Sequence, residues 1–222
     1  MDKKKALAVI FQAADLYEQN LLDRMLLILS KVGKTGRYNL DEVLFEAGNF
    51  LHLTGCRINQ SQMNAKDFFE WAISRELKIE HFEDGGNAAQ KLEVLPDYIK
   101  RCIQANMIAK YERNACDTET FLHVKNIAGS VKSCMGFRCA NELGNVQVPV
   151  TLLAGNKFDR LKERNQIIAI FRKKKHEAQY TECCYQAKKV EWGKVKIENN
   201  MAYVLTLLDL PETGECNVIF KQ

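Results

Sequence analysis

The chain has 222 residues, 46% of them hydrophobic and 27% charged, which provides enough apolar material for a packed core and excludes a disordered chain. A formal net charge of +4 permits an anionic partner but is milder than the charge of most dedicated nucleic-acid binders. No apolar run is long enough to cross a bilayer, and no secretory signal pattern follows the basic start Met1–Lys5. Eight cysteines without an export signal predict reduced thiols and a cytoplasmic protein.

The amino-terminal segment is predicted to form a helix and then a hairpin. Apolar residues recur at helical spacing over residues 3–21, which predicts a helix there. Leu26–Lys31 and Asn39–Glu46 flank the turn residues Gly33–Gly36 and are expected to pair as an antiparallel hairpin. The alternative is a second helix over Leu21–Val32, because the apolar residues of that stretch also share one helical face.

Two more helices are expected before residue 106. Asn64 is suited to capping a helix, and Asp67 follows three positions later, where a carboxylate favours the positive helix end. Another helix follows Asn87, and Pro96 inside its apolar stripe is expected to kink or split it. Residues 1–105 are therefore predicted to be a mainly helical part that contains one hairpin.

After residue 106 the pattern changes to short apolar or aromatic runs separated by polar or glycine-containing segments, which predicts an antiparallel sheet. The predicted strands are Met107–Tyr111, Met135–Cys139, Val148–Leu153, Ile167–Arg172 and Tyr180–Tyr185, with Met201–Leu208 and Val218–Phe220 as candidates for more. Helices followed by strands indicate an α+β fold rather than an alternating βαβ fold. No linker separates the helical part, residues 1–105, from the sheet part, residues 106–222. One domain over residues 1–222 is therefore expected.

His52 is the first candidate for chemistry. It lies in the stretch Phe50–Gly55, between two leucines, after a strand-like run and before a glycine. An imidazole titrates near neutral pH and can give or take a proton there. The same stretch also has a purely structural interpretation, in which Leu51 and Leu53 are buried, Gly55 turns the chain and His52 is a satisfied, half-buried histidine.

Polar and basic residues beside the later strands form a second group of candidates. If the strands are neighbours, these side chains can line one sheet face, where cations and hydroxyls bind phosphate and a ring stacks on a base. The expected substrate-binding residues are Ser130, Lys157, Arg160, Tyr180, Thr181 and Tyr185. The basic run Arg172–Lys175 also has the character of a solvated turn between strands.

The distribution of ligand-type residues favours chemistry without a metal. The carboxylates are scattered rather than clustered, and the cysteines and histidines lack zinc-finger spacing, so no metal or cofactor is expected. Metal-free RNA cleavage needs a base for the 2′-hydroxyl, an acid for the leaving oxygen and a cation for the developing charge. His52 with Lys132 or Arg160, and a hydroxyl from Ser133 or Thr151, could supply these groups.

Several segments together resemble one group of phage-borne predicted nucleases of the barnase–EndoU–colicin–RelE-like class. They are Asn49–Gly55 with its F-x-H-L-T-G motif, Lys66–Ile73, Lys91–Pro96, Gly129–Phe137, Pro149–Leu153 and Tyr180–Lys188. The resemblance covers roughly residues 20–190. It implies a compact fold of helices and an antiparallel sheet, and metal-independent RNA cleavage in a phage or mobile-element setting. The active residues that it implies are His52, Lys132, Ser133 and Thr151.

Two hypotheses for the function follow. The first is an RNA-cleaving enzyme that acts as a toxin or phage effector on RNA such as tRNA, with an immunity or phage protein as its partner. The second is a binding module of a mobile element that keeps the fold without turnover. An enzyme should place His52 in an open cleft near a basic or hydroxyl group from the second half of the chain. A binding module can leave His52 buried.

Overall fold

The structure is a computed structural model. It describes residues 1–33, 35–59, 61, 63–111, 124–140, 145–161, 163–197 and 199–210, without the side chains of residues 103, 160 and 199. The helices are α1 (Lys3–Asn20), α2 (Phe50–Thr54), α3 (Ala65–Ser74) and α4 (Ala88–Arg101). The strands are β1 (Arg24–Val32), β2 (Arg37–Phe45), β3 (Cys56–Ile58), β4 (Phe82–Asp84), β5 (Met107–Lys110), β6 (Asn126–Gly129), β7 (Ser133–Cys139), β8 (Gln147–Ala154), β9 (Arg164–Lys174) and β10 (Glu182–Gln186). Short 3-10 helices span Ala47–Asn49, Cys102–Gln104, Phe158–Arg160, Trp192–Lys194 and Asn199–Leu207.

Eight of the strands form one sheet in the order β1-β2-β8-β7-β6-β5-β9-β10. Because β1 also pairs with β9, seven of these strands close into a ring, and β10 extends from the free edge of β9. All the pairings are antiparallel except that between β2 and β8, which is a single parallel bridge at Val43 and Gln147. The ring is therefore joined most weakly between β2 and β8.

Most of the predicted elements are present. Asp2 caps α1 by accepting a hydrogen bond from the Lys5 backbone N–H at 2.8 Å. The hairpin is confirmed, with β1 and β2 in continuous antiparallel register from Arg24 to Val32, so the alternative helix over Leu21–Val32 is wrong. Asn64 caps α3 as expected. The α+β class is likewise confirmed.

Three expectations on secondary structure differ from the structure. The helix α4 runs through Pro96 without being split, because its first turns and last turns pack on the same apolar core. The short strands β3, β4 and β6, of three or four residues each, were not predicted from the sequence. The candidate strand Met201–Leu208 instead lies largely in a 3-10 helix, and the candidate strand Val218–Phe220 lies outside the described residues.

The two faces of β1 and β9 pack on different parts of the chain. Leu26 and Ile28 point into the main core with α1, α3 and α4, whereas Leu27 and Leu29 pack against β10 and the segment around Val204. Tyr17 joins the helices to one another through edge contacts with Phe50 and Phe69. In the part of the chain that the structure describes, no helix combines the length and the apolar character needed to cross a membrane.

Candidate active site

The site is organised around Lys91, a cation buried inside the molecule. Lys91 lies on the inner face of α4 and is only 8% exposed. Its Nζ donates hydrogen bonds to Thr151 Oγ1 at 2.9 Å and to the His52 carbonyl oxygen at 3.2 Å. One side chain thus connects α4, α2 and β8.

The electrostatic state of Lys91 is unusual for a lysine. Burial lowers its pKa from 10.5 to about 8, because the ammonium group loses hydration. No carboxylate within the described residues forms an ion pair with it to offset that cost. Lys91 is therefore a charged group near pH 7 that can lose its proton a little above neutrality.

Gly55 allows α2 and α4 to approach closely enough for these bonds. Its φ of +73° is in the left-handed region, where glycine ends α2 without strain. A Cβ at this position would lie 2.8 Å from Lys91 Cδ and 3.1 Å from the backbone of Ala88. The glycine that ends the F-x-H-L-T-G stretch is thus in direct contact with the part of α4 that carries Lys91.

His52 lies on α2, near Lys91 of α4, and is exposed. Partial burial of the imidazole is the main cause that lowers its pKa below 6.5, and the positive charges of Arg138 and Lys91 lower it further. The neutral imidazole is therefore favoured at pH 7 and can accept a proton. Arg138 comes from β7, where it pairs with Val148 of β8, and its side chain is exposed.

Thr151 is 3% exposed and lies on β8, opposite Gly136 of β7. Any Cβ on Gly136 would lie 2.9 Å from the Thr151 methyl group, so the absence of a side chain makes room for Thr151. The pairing of β8 with β2 is limited to Val43 and Gln147, which leaves the edge of β8 near Thr151 to the helices α2 and α4. The site therefore combines a neutral imidazole, a buried ammonium, an exposed guanidinium and a hydroxyl.

Comparison with known families decides which group the chain is part of. A family model described as phage-Barnase-EndoU-ColicinE5/D-RelE like nuclease4 matches residues 9–189. The chain belongs to this nuclease family. The resemblance inferred from the sequence is confirmed, and the mostly antiparallel sheet with packed helices agrees with the expected fold of the class. No curated protein and no solved structure matches the chain.

The matched region contains all four residues of the site, namely His52, Lys91, Arg138 and Thr151. It ends at residue 189, close to residue 190, where the resemblance seen in the sequence ends. Two of the four, His52 and Thr151, were expected from the sequence. The structure brings them together through Lys91, and His52 is not sealed in apolar packing. The contact runs through the backbone carbonyl of His52, so the catalytic role of its side chain stays a prediction.

Lys132 and Ser133 lie at the other end of β7. Ser133 is buried and pairs with Ala154, three residues beyond Thr151 along β8. Lys132 is exposed in the turn after β6, where its backbone N–H donates to Ser130 Oγ at 3.2 Å. No contact within the described residues joins either side chain to His52, so their catalytic roles stay predictions.

The expected substrate-binding residues are spread over several surfaces. Lys157 is half-buried just before the 3-10 helix Phe158–Arg160. The side chain of Arg160 is outside the described part of the structure. Thr181 is exposed just before β10, and Tyr185 is half-buried on β10. Tyr180 is buried, and its hydroxyl donates to Glu42 Oε1 at 2.7 Å. A ring held in this way is not positioned to stack on a base, and burial raises the pKa of its hydroxyl.

Lys91 and Arg138 were missed from the sequence. A signal for Lys91 was present, because the apolar stripe of α4 includes Ala88, Leu92 and Leu95, and a residue at position 91 belongs to the same face. A lysine on the apolar face of a helix is expected to be buried. Arg138 gave no comparable signal, since its relevance depends on the position of β7 relative to α2.

Candidate metal ligands do not gather at this site. Across the described ranges, no three histidine, cysteine, aspartate or glutamate side chains lie close enough together to hold a metal ion. Five of the described cysteines are free thiols, namely Cys56, Cys102, Cys139, Cys183 and Cys184.

Proposed function

We propose that this chain is a metal-independent endoribonuclease whose active site consists of His52, Lys91, Arg138 and Thr151. The observation that carries the proposal is the position of Lys91, which donates from inside the protein to Thr151 Oγ1 and to the backbone of His52. A buried cation without a carboxylate partner costs folding energy, and such groups occur mainly where charge serves a reaction. The nuclease family to which the chain belongs supports the reaction class.

Each group has one role in the proposed reaction. The neutral imidazole of His52 removes the proton of the ribose 2′-hydroxyl, and the 2′ oxygen forms a bond to the adjacent phosphorus. The bond from phosphorus to the 5′ oxygen breaks, and that oxygen takes up a proton from solvent. The products are a 2′,3′-cyclic phosphate and a 5′-hydroxyl, and His52 then releases its proton.

The two cations act on the phosphate. Arg138 is exposed beside His52 and is suited to binding a phosphate oxygen through its planar N–H donors. Lys91 has three N–H donors, and two of them are used by Thr151 and His52, which leaves the third for the negative charge that develops on the phosphoryl oxygens. Thr151 is a positioning residue, because it contacts Lys91 and holds the ammonium at the edge of β8.

The biological role proposed here is that of a phage or mobile-element effector acting on RNA such as tRNA. The description of the family as phage-type supports that setting. An immunity or phage protein that covers the exposed His52 and Arg138 is the partner expected for a toxin of this kind.

The proposal is tested by incubating the purified chain with total bacterial RNA and defined tRNAs in the presence of a chelator. The wild type is expected to cleave and to leave cyclic phosphate ends, and His52→Ala is expected to be inactive while remaining folded. His176→Ala is the matched control, because His176 is also exposed but lies after β9. Equal cleavage by wild type and His52→Ala would contradict the proposed site, and cleavage that requires a divalent ion would contradict the mechanism.

A further inference from the structure

A second polar cluster lies inside the ring of strands, separate from Lys91. Asn126 Nδ2 donates to Asp41 Oδ1 at 3.0 Å and to Gln147 Oε1 at 3.1 Å, and Gln147 Nε2 donates to Asp41 Oδ1 at 2.8 Å. The three residues come from β2, β6 and β8. Asn126 is 6% exposed and Gln147 is 1% exposed, whereas Asp41 is half-buried and connects the cluster to solvent.

The hydrogen bonds leave acceptors unused. Both amide donors converge on Oδ1 of Asp41, and no donor within the described residues reaches Asp41 Oδ2 or Asn126 Oδ1. Burial raises the pKa of Asp41, and the hydrogen bond from Gln147, the charge of Lys125 and the hydrogen bond from Asn126 oppose that shift. The two remaining acceptor oxygens thus belong to neighbouring side chains, because Asn126 is hydrogen-bonded directly to Asp41.

Ser30 is a second, independent observation in the same part of the ring. It is fully buried, and its Oγ is a buried side-chain oxygen without a hydrogen-bond partner in the described part of the chain. Ser30 pairs with Asn39, and Ile28 pairs with Asp41, so Ser30 and Asp41 point to the same face two positions apart. Leaving the Ser30 hydroxyl without a partner costs about 1–3 kcal/mol, so a network that served only the fold would satisfy it.

We infer that Asp41, Asn126 and Gln147 form a base-recognition subsite that binds an unpaired guanine. Guanine presents two adjacent N–H donors on its Watson–Crick edge, N1–H and the N2 amino group, which match two adjacent acceptors. Uracil, adenine and cytosine each present a single donor group there, next to at least one acceptor that would face an oxygen of Asp41 or Asn126. Single-stranded RNA is commonly read through this edge.

The subsite lies along the same strand as the proposed active site. Gln147 and Thr151 are four residues apart on β8, which corresponds to at most roughly 13 Å. Lys125 is exposed and close enough to act on the charge of Asp41, so it offers a cation for a phosphate of the bound nucleotide. The inference rests on the proposed function, because it assigns the base specificity of the RNA that the active site would cleave.

The test measures binding without cleavage. Fluorescently labelled, fully 2′-O-methylated RNA pentamers carry one guanine, inosine or adenine in an otherwise uniform uridine sequence, and binding is followed by anisotropy. The wild type is expected to bind the guanine pentamer roughly 5- to 100-fold more tightly than the adenine pentamer, with inosine between them because it lacks the N2 amino group. Asp41→Asn is expected to lose the preference, and Asp97→Asn, an exposed carboxylate on α4, is expected to keep it.

Each outcome decides the inference. Equal affinity of the wild type for guanine and adenine pentamers, or no binding of any pentamer, overturns it. A guanine preference that Asp41→Asn retains also overturns it, because the base is then recognised elsewhere. Binding of the three pentamers by the wild type requires no variant. It therefore still decides the inference if Asp41→Asn does not fold. Cleavage of RNA without base preference contradicts this subsite alone, and guanine preference without cleavage contradicts the proposed enzyme instead.

Discussion

Two groups of basic residues in this molecule differ in how their charges are balanced. On β9, Arg172 forms a bidentate ion pair with Glu182 of β10, with nitrogen–oxygen distances of 2.7 to 2.9 Å. Lys175 pairs with Glu46, and Lys173 lies over the ring of Tyr180. At the candidate active site, Lys91 is more deeply buried than any of these and bonds only to a hydroxyl and a carbonyl among the described residues.

Under the proposed function, the difference separates charges that serve the fold from charges that serve the reaction. Arg172, Lys173 and Lys175, on or next to β9, have their own carboxylates or an aromatic ring, so little of their charge remains for a ligand. Lys91 has neutral partners, a lowered pKa and an imidazole beside it. A dense basic run in the sequence was therefore a weaker guide to the site than a single lysine on an apolar helical face.

The largest effect is expected from Lys91→Met, which removes the charge and keeps the volume. Cleavage should fall by about 10²- to 10³-fold, because a preorganised donor for the developing phosphate charge is lost. The free energy of unfolding at pH 7 should rise, because the lowered pKa of Lys91 corresponds to roughly 3 kcal/mol of unfavourable burial of its charge. RNA cleavage and thermal unfolding of the same preparation measure both quantities.

Lys100→Met is the matched control for this prediction, because Lys100 lies on the same helix with an exposed side chain. It should change neither activity nor stability appreciably. A Lys91→Met protein that cleaves as well as the wild type would show that Lys91 belongs with the structural cations of β9.

His52→Ala should lower cleavage by about 10²- to 10³-fold through loss of the general base. Its effect on the free energy of unfolding should be within about 0.5 kcal/mol, because the side chain is exposed. Added imidazole restoring part of the cleavage by His52→Ala would support a proton-transfer role. A loss of stability that parallels the loss of activity would instead indicate that His52 is a structural residue.

Gly55→Ala tests whether the close approach of α2 and α4 matters. The new Cβ meets Lys91 Cδ and the Ala88 backbone at a residue with positive φ, so a destabilisation of about 1–3 kcal/mol is expected. Cleavage should fall as well, because Lys91 is displaced from Thr151. Gly36→Ala is the control, since Gly36 also has positive φ but has nothing within 4 Å of its Cβ position. Equal losses of activity in both variants would contradict the proposed contact.

The smallest effect is expected from Arg172→Ala, which removes one of the paired cations of β9. Loss of the pair with Glu182 should cost at most about 1 kcal/mol of stability, because Glu182 is half exposed and the charges are screened by solvent. Cleavage by the folded protein should be unchanged. Urea unfolding and the cleavage assay measure the two effects, and a selective loss of activity would mean that β9 contributes to the site.

The sequence predicted those features that depend on local pattern. Helical spacing predicted α1, α3 and α4, and alternation between turn residues predicted the β1–β2 hairpin and most later strands. The 3-10 segment at Asn199–Leu207 was misassigned as a candidate strand, because a short apolar run without a clear helical stripe fits either form.

The functional residues were harder to predict because they depend on tertiary contacts. His52 and Thr151 were expected, but the link between them depends on Lys91, which was named only within the segment Lys91–Pro96 and given no role. The bonds of Asp41 to Asn126 and Gln147 join positions 85 and 106 residues apart, and only the closed sheet brings them together. Such arrangements carry no signal in local composition or spacing.

The dependence of kcat/KM for RNA cleavage on pH tests the central claim most directly, because it reports on His52 and Lys91 together. Activity should rise as pH increases through the pKa of His52, which lies below 6.5, because the neutral imidazole is the base. It should fall again near pH 8, where Lys91 loses its proton and its charge. In Lys91→Met, the residual activity should keep the acid limb and lose the limb near pH 8. A wild-type profile that stays flat through pH 8, or a Lys91→Met profile that still falls there, would contradict the account.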